Sequence, residues 1–167
     1  MRKEVYWLDG SWPGKVAVGP RPRGGDWLKD DITGWKRANV NAVLSLLTPD
    51  EEKHFDLHDE ADEVRGQGME FNSFPIPDRQ VPGSEAKLGE LLERVSRVLS
   101  TGKNVLVHCR QGIGRSGLVA ACLLVKKGMS PGAAVDSVSA ARGISVPETP
   151  EQRDWIDHYA AAVTSTK

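Results

Sequence analysis

Val105-Leu106-Val107-His108-Cys109-Arg110-Gln111-Gly112-Ile113-Gly114-Arg115-Ser116-Gly117 is the stretch from which the rest of the chain can be read. Val105–Val107 is a short, wholly apolar run, the pattern of a strand covered on both faces. Gly112 and Gly114 interrupt regular structure, and from Ser116 to Lys127 the chain is mostly apolar until Gly128 stops it. The stretch therefore predicts strand, tight loop and helix in succession.

A helix N-terminus leaves backbone N–H groups without partners and carries positive potential from its aligned peptide dipoles. A glycine-rich loop leading into it aims further N–H groups inward and makes a nest for an anion. Cys109 opens this nest. Positive potential favours thiolate over thiol, and the thiolate is the nucleophilic form. Five residues lie between Cys109 and Arg115, enough for one turn of loop to bring the guanidinium back over the nest. Its planar fork suits two phosphate oxygens at once. Ser116 follows, in position to hydrogen-bond the sulfur.

His-Cys-Arg-Gln-Gly-Ile-Gly-Arg-Ser at 108–116 resembles the His-Cys-x5-Arg-Ser/Thr phosphate-binding loop of the protein tyrosine phosphatase superfamily. The short chain is similar to that superfamily's compact dual-specificity branch. The resemblance implies a two-step hydrolysis in which Cys109 attacks phosphorus and becomes a phosphocysteine. Arg115 and the backbone of Arg110, Gln111, Gly112, Ile113 and Gly114 would hold the phosphate oxygens. Ser116 would assist departure of the sulfur, and His108 would order the loop from behind. The resemblance further implies a general acid on a separate upstream loop. Asp78, which follows a predicted strand and sits among Pro75, Pro77 and Pro82, is the candidate. A polar residue from a later element beside the hydrolytic water is also implied, and Gln152 is the candidate. No cofactor and no metal are implied. The expected partner is a phosphorylated protein or peptide, with phosphotyrosine favoured.

Outward from the loop, the other elements follow from pattern and punctuation. Strands are predicted at Glu4–Leu8, Lys15–Val18, Asn41–Leu47 and Met69–Phe74. Helices are predicted from Asp26, as cap, to Ala38; from Thr48 or Asp50 to near Gly66; from Ser84 to Gly102; from Ser130-Pro131; and from the capping box Thr149-Pro150-Glu151-Gln152. Trp27, Leu28, Ile32 and Trp35 make the apolar stripe of the first. Alternation of strand and helix predicts an α/β fold with a largely parallel central sheet flanked by helices on both faces, of the dual-specificity-phosphatase type.

Composition sets the bounds. The chain has 167 residues, 39% hydrophobic and 27% charged, which predicts a single domain over residues 1–167. With 22 basic against 23 acidic side chains the net charge is −1. That balance offers no broad field for nucleic acid or an anionic membrane, so neither is expected as a partner. Two cysteines make no disulfide framework. The longest apolar run, Leu118–Val125, is too short to cross a bilayer, and no apolar run follows Met1–Trp7 as a secretory signal requires. A reducing, cytoplasmic setting is expected.

Several features read as structure rather than chemistry. Cys122 lies on the apolar helix and is expected in the core. His54 and His58 have metal-ligand spacing but sit in a stretch dense with charge, which fits a solvated helix face. Gly112-Ile113-Gly114-Arg115-Ser116-Gly117 also matches the dinucleotide fingerprint, yet no second βαβ unit follows. The same loop would serve a phosphoinositide or an RNA 5′ phosphate. Arg110 as the sole extra base within it weighs against the first, and the neutral charge against the second. A phosphate-binding protein without turnover is the non-enzymatic alternative, which the intact Cys109, Arg115, Ser116 and Asp78 disfavour.

Overall fold

The computed structural model describes residues 5–10 and 12–165, so Glu4 and Ser11 of the expected first strand and turn lie outside the described residues. The chain runs β1 (Tyr6–Trp7), β2 (Val16–Pro20), α1 (Leu28–Arg37), β3 (Ala42–Ser45), α2 (Pro49–His54), α3 (Glu60–Gly66) and β4 (Glu70–Ser73). It continues through α4 (Glu85–Ser100), β5 (Val105–Cys109), α5 (Arg115–Lys126), α6 (Pro131–Arg142) and α7 (Pro150–Ser165). The strands form one sheet in the order β1-β2-β5-β3-β4. β2, β5, β3 and β4 are mutually parallel, and β1 alone pairs antiparallel.

β5 sits at the centre, with Val107 level with Val18 on one side and Leu44 on the other. All five of its residues are buried. Side chains alternate across a strand, and this alternation divides the core in two. Val105, Val107 and Cys109 join Val16, Val18, Ala42 and Leu44 beneath α4, α5 and α7. Leu106 joins Ala17 and Val43 beneath α1 and α3, with Ile32, Trp35 and Val64. Cys109 and His108 therefore face opposite layers.

The predicted caps at Ser84, Ser130 and Thr149 are present. Ser84 accepts from Lys87 N (3.2 Å) and Ser130 from Ala133 N (3.2 Å). Thr149 and Gln152 cap each other, with Gln152 N to Thr149 Oγ1 at 3.1 Å and Thr149 N to Gln152 Oε1 at 3.3 Å. Of the two residues proposed to open the acidic helix, Thr48 is the cap, in a reciprocal box with Glu51.

Two expectations need correction. The single acidic helix is two helices, because the chain turns at Asp56, whose φ is +55°, before α3 begins. Asp26 does not cap α1. It lies in a 3-10 turn at Gly25–Trp27 that precedes the helix, and no side chain caps that turn. The cause is backbone contact from the end of α2: Gly25 N donates to Asp56 O, and a Cβ at Gly24 would lie 2.0 Å from Phe55 O. Trp27 is consequently turned outward, 56% exposed, with the Arg23 guanidinium 4.4 Å from its ring centre.

Candidate active site

Parallel strands end at the same edge of the sheet, and the loops beyond their C-terminal ends share one crevice. Here the 110–114 loop leaves β5, the 74–83 segment leaves β4, and the Thr48 capping box follows β3. Gly112 adopts φ +74° and packs so closely on β2 that a Cβ would lie 2.4 Å from the Gly19 carbonyl carbon. Only glycine fits there. Arg21 N donates to Arg110 O (3.2 Å), and Arg142 donates to Gln111 O (3.1 Å) and Gly112 O (3.2 Å). These bonds hold the carbonyls of Arg110, Gln111 and Gly112 in place.

Cys109 ends β5 and is 2% exposed, with its sulfur 3.2 Å from Ser116 Oγ. Arg115 is the first residue of α5 and is 1% exposed. Its Nη1 donates to Glu51 Oε1 (2.6 Å) and Ile76 O (2.7 Å), and its Nη2 to Glu51 Oε2 (2.8 Å) and Asp78 Oδ1 (3.1 Å). Burial disfavours the guanidinium charge, but the Glu51 hydrogen bonds and the fields of Cys109, Glu51 and Asp78 outweigh it and raise its pKa above the ordinary arginine value. For Glu51 burial likewise opposes ionisation, and the bonds from Arg115 and Thr48 N overcome it and lower its pKa. Asp78 Oδ2 also lies 3.5 Å from Arg110 Nη1.

Asp78, Arg79, Cys109, Arg110, Gln111, Arg115 and Glu148 line one cleft of about 170 Å³. A larger hollow, about 600 Å³, lies between β4 and α4, walled by apolar side chains and arginines. Cys109 and Arg115 line the smaller cleft and not this one.

The sequence-predicted residues thus come together with two qualifications. His108 is fully buried on the other face of the sheet, its Nε2 2.6 Å from Glu60 Oε2 and its ring 5.6 Å from that of Trp35. Gln152 is also fully buried, and it lines no part of the cleft. Its Oε1 accepts from Glu148 N (3.1 Å) and Thr149 N (3.3 Å), and its Nε2 donates to Gln80 O (3.0 Å). Cys122 is a core residue of α5 whose thiol burial pushes well up. His54 rests edge-on against Phe55, and His58 lies beside Asp56 and Asp59.

Sequence reasoning missed Glu51, Glu60 and Arg142. Glu51 alone had a signal, as the capping-box partner of Thr48, but nothing in that motif says that the same carboxylate also grips Arg115.

Residues 19–129 match the family described as "Polymorphic toxin system, DSP-PTPase phosphatase". The chain belongs to this DSP-PTPase family. The rat (Rattus norvegicus) "Cyclin-dependent kinase inhibitor 3" is 28% identical to this DSP-PTPase over 134 residues, which is 79% of this chain and 63% of that one. The chain thus matches under two thirds of that relative's length. Among solved structures, Tk-PTP in its active form superposes with a TM-score of 0.80 at 29% identity, covering 96% of this chain and 99% of that one. Kinase associated phosphatase, crystallised with serine in place of its catalytic-site cysteine, gives a TM-score of 0.89 at 22% identity, covering 99% and 98%. That last likeness is one of fold.

Proposed function

We propose that this DSP-PTPase is a cysteine-dependent phosphatase of the tyrosine/dual-specificity type, working through a phosphocysteine on phosphorylated proteins or peptides, phosphotyrosine favoured. The observation that carries the reading is the convergence in one small cleft of Cys109, Arg115 and Asp78, with Ser116 Oγ 3.2 Å from the sulfur. The Cys109 thiolate attacks phosphorus; the S–P bond forms while the bond from phosphorus to the leaving oxygen breaks. Arg115 and the loop N–H groups neutralise charge on the other oxygens. Asp78 gives its proton to the leaving oxygen. Water then attacks phosphorus, Asp78 takes a proton back, the S–P bond breaks, and Ser116 stabilises the departing thiolate.

Asp78 is paired with Arg115 and Arg110. A phosphate dianion engages those same guanidiniums, which frees the Asp78 carboxyl to turn toward the leaving oxygen. The kinase-related name of the rat relative supports a phosphoprotein substrate. We place the protein in a reducing, cytoplasmic setting because the nucleophile must remain a free thiol.

The test is hydrolysis of aryl phosphate by the purified protein, with a panel of phosphopeptides, phosphoinositides and 5′-phosphorylated RNA to fix the substrate class. Cys109→Ser is expected to abolish turnover while phosphate still binds. Undiminished turnover by that variant would refute the sulfur nucleophile, and preference for a phosphoinositide or RNA would refute the protein substrate.

A further inference from the structure

Asp78 sits in a proline-bounded segment that carries little hydrogen bonding of its own. Ile76 N reaches Leu46 O, and Gln80 N closes a single turn onto Pro77 O. The next two residues are held from elsewhere. Arg79 adopts φ +62°, a left-handed conformation that side-chain-bearing residues rarely take unless their surroundings impose it. Its Nη1 donates to Glu148 Oε2 at 3.1 Å, across 69 residues of sequence. Gln80 O accepts from Gln152 Nε2 at 3.0 Å, across 72 residues. Glu148 N in turn donates to Gln152 Oε1 at 3.1 Å, so the backbone of the residue that holds Arg79 is tied to the side chain that holds Gln80. The sharp turn at Arg79 lets Asp78 face Arg115 while Arg79 and Gln80 face the start of α7.

We infer that Glu148 and Gln152 form a clasp on Arg79 and Gln80 that positions Asp78 for proton transfer, and that this clasp, rather than the hydrolytic water, is what Gln152 serves. The inference rests on the cysteine-phosphatase reading. Both ends of the Gln152 amide are spent on backbone, and the side chain is fully buried. An ion pair as exposed as Arg79–Glu148, at 62% and 23%, adds little to stability. Geometry is another matter, since misplacing a reacting group by about 1 Å can cost on the order of 10²-fold in rate. The clasp therefore acts on catalysis and hardly on folding.

The experiment uses the full chain and two substrates, phenyl phosphate and p-nitrophenyl phosphate. The first has a leaving oxygen that needs the proton; the second needs it much less. Arg79→Ala and Glu148→Ala are each expected to lower kcat/KM on phenyl phosphate by about tenfold, a part of the 10²–10⁴-fold that a general acid supplies. On p-nitrophenyl phosphate both should lose several-fold less than on phenyl phosphate, because its leaving oxygen needs little proton assistance. Because they act through one another, the double variant should lose no more than either single. Gln152→Ala should show the same substrate bias in kcat/KM. Equal losses on both substrates, or additive losses in the double variant, would overturn the clasp. Thermal melts separate these outcomes from misfolding. Cys109→Ser and Asp78→Asn run alongside: if either matches wild type on phenyl phosphate, the underlying reading fails, whatever the clasp variants do.

Discussion

Replacing Glu51 by glutamine tests the grip on the buried arginine. Arg115 is 1% exposed and spends two of its four hydrogen bonds on Glu51, at 2.6 and 2.8 Å. A hydrogen bond to a charged group contributes about 1.5–3 kcal/mol, and removing one partner of a buried pair outright costs about 3–5 kcal/mol. Glutamine keeps one acceptor oxygen, and Ile76 O and Asp78 still hold the guanidinium. The expected loss is therefore smaller, about 2 kcal/mol. For a chain of this size that lowers Tm by about 4–8 °C at pH 7. The Glu51 carboxyl lies below its ordinary 4.5 in the folded state, so its contribution is complete above that pH. It is lost as pH falls through the lower folded value. The gap between wild type and Glu51→Gln should accordingly narrow below about pH 4.5. Thermal unfolding followed from pH 7 into acid reads both quantities, and phosphate binding reports whether Arg115 stays aimed at the cleft. Equal melting points at neutral pH, or a gap that widens in acid, would refute the reasoning.

Gly112→Ala places a methyl group against Gly19 at a φ of +74°; a cost of more than about 1 kcal/mol is expected, with loss of phosphate affinity by calorimetry exceeding that of a Gly132→Ala control on α6. Glu60→Gln keeps one acceptor oxygen beside His108 Nε2 but loses the native 2.6 Å carboxylate contact, and a drop of about 1–2 kcal/mol in denaturant-unfolding stability is expected. Cys122, buried with its thiol pushed up, should resist a small alkylating reagent until the chain unfolds. Native labelling, mapped by mass spectrometry, should fall on Cys109 and be slowed by inorganic phosphate.

The sequence signals that proved legible are the local ones. Val105–Ser116 carries strand, loop, cysteine and arginine within one contiguous stretch, so spacing alone orders them. Ser84, Ser130 and Thr149 declare their helices because a cap and its partner lie three residues apart. Glu51 and Glu60 were not legible as partners because 64 and 48 residues separate them from Arg115 and His108. Only the parallel crossovers bring those distances together. Asp26 misled for the opposite reason: it had a good capping side chain, but the backbone of Phe55 and Asp56 sets the start of α1. Gln152 showed its capping role in sequence, while its bond to Gln80 depends on where the Asp78 segment lands.

The neighbours His108 and Cys109 have a consequence for how such a chain can change. Their roles are assigned by parity along β5, the odd residue turned to one layer and the even residue to the other. A single-residue insertion or deletion inside β5 would exchange them, sending the sulfur to Trp35 and Glu60 and the imidazole to the cleft. Pairing with β2 on one flank and β3 on the other holds that parity from both sides. Variation in length is therefore tolerable at the loops on the rim, but the strand that carries Cys109 has a fixed count.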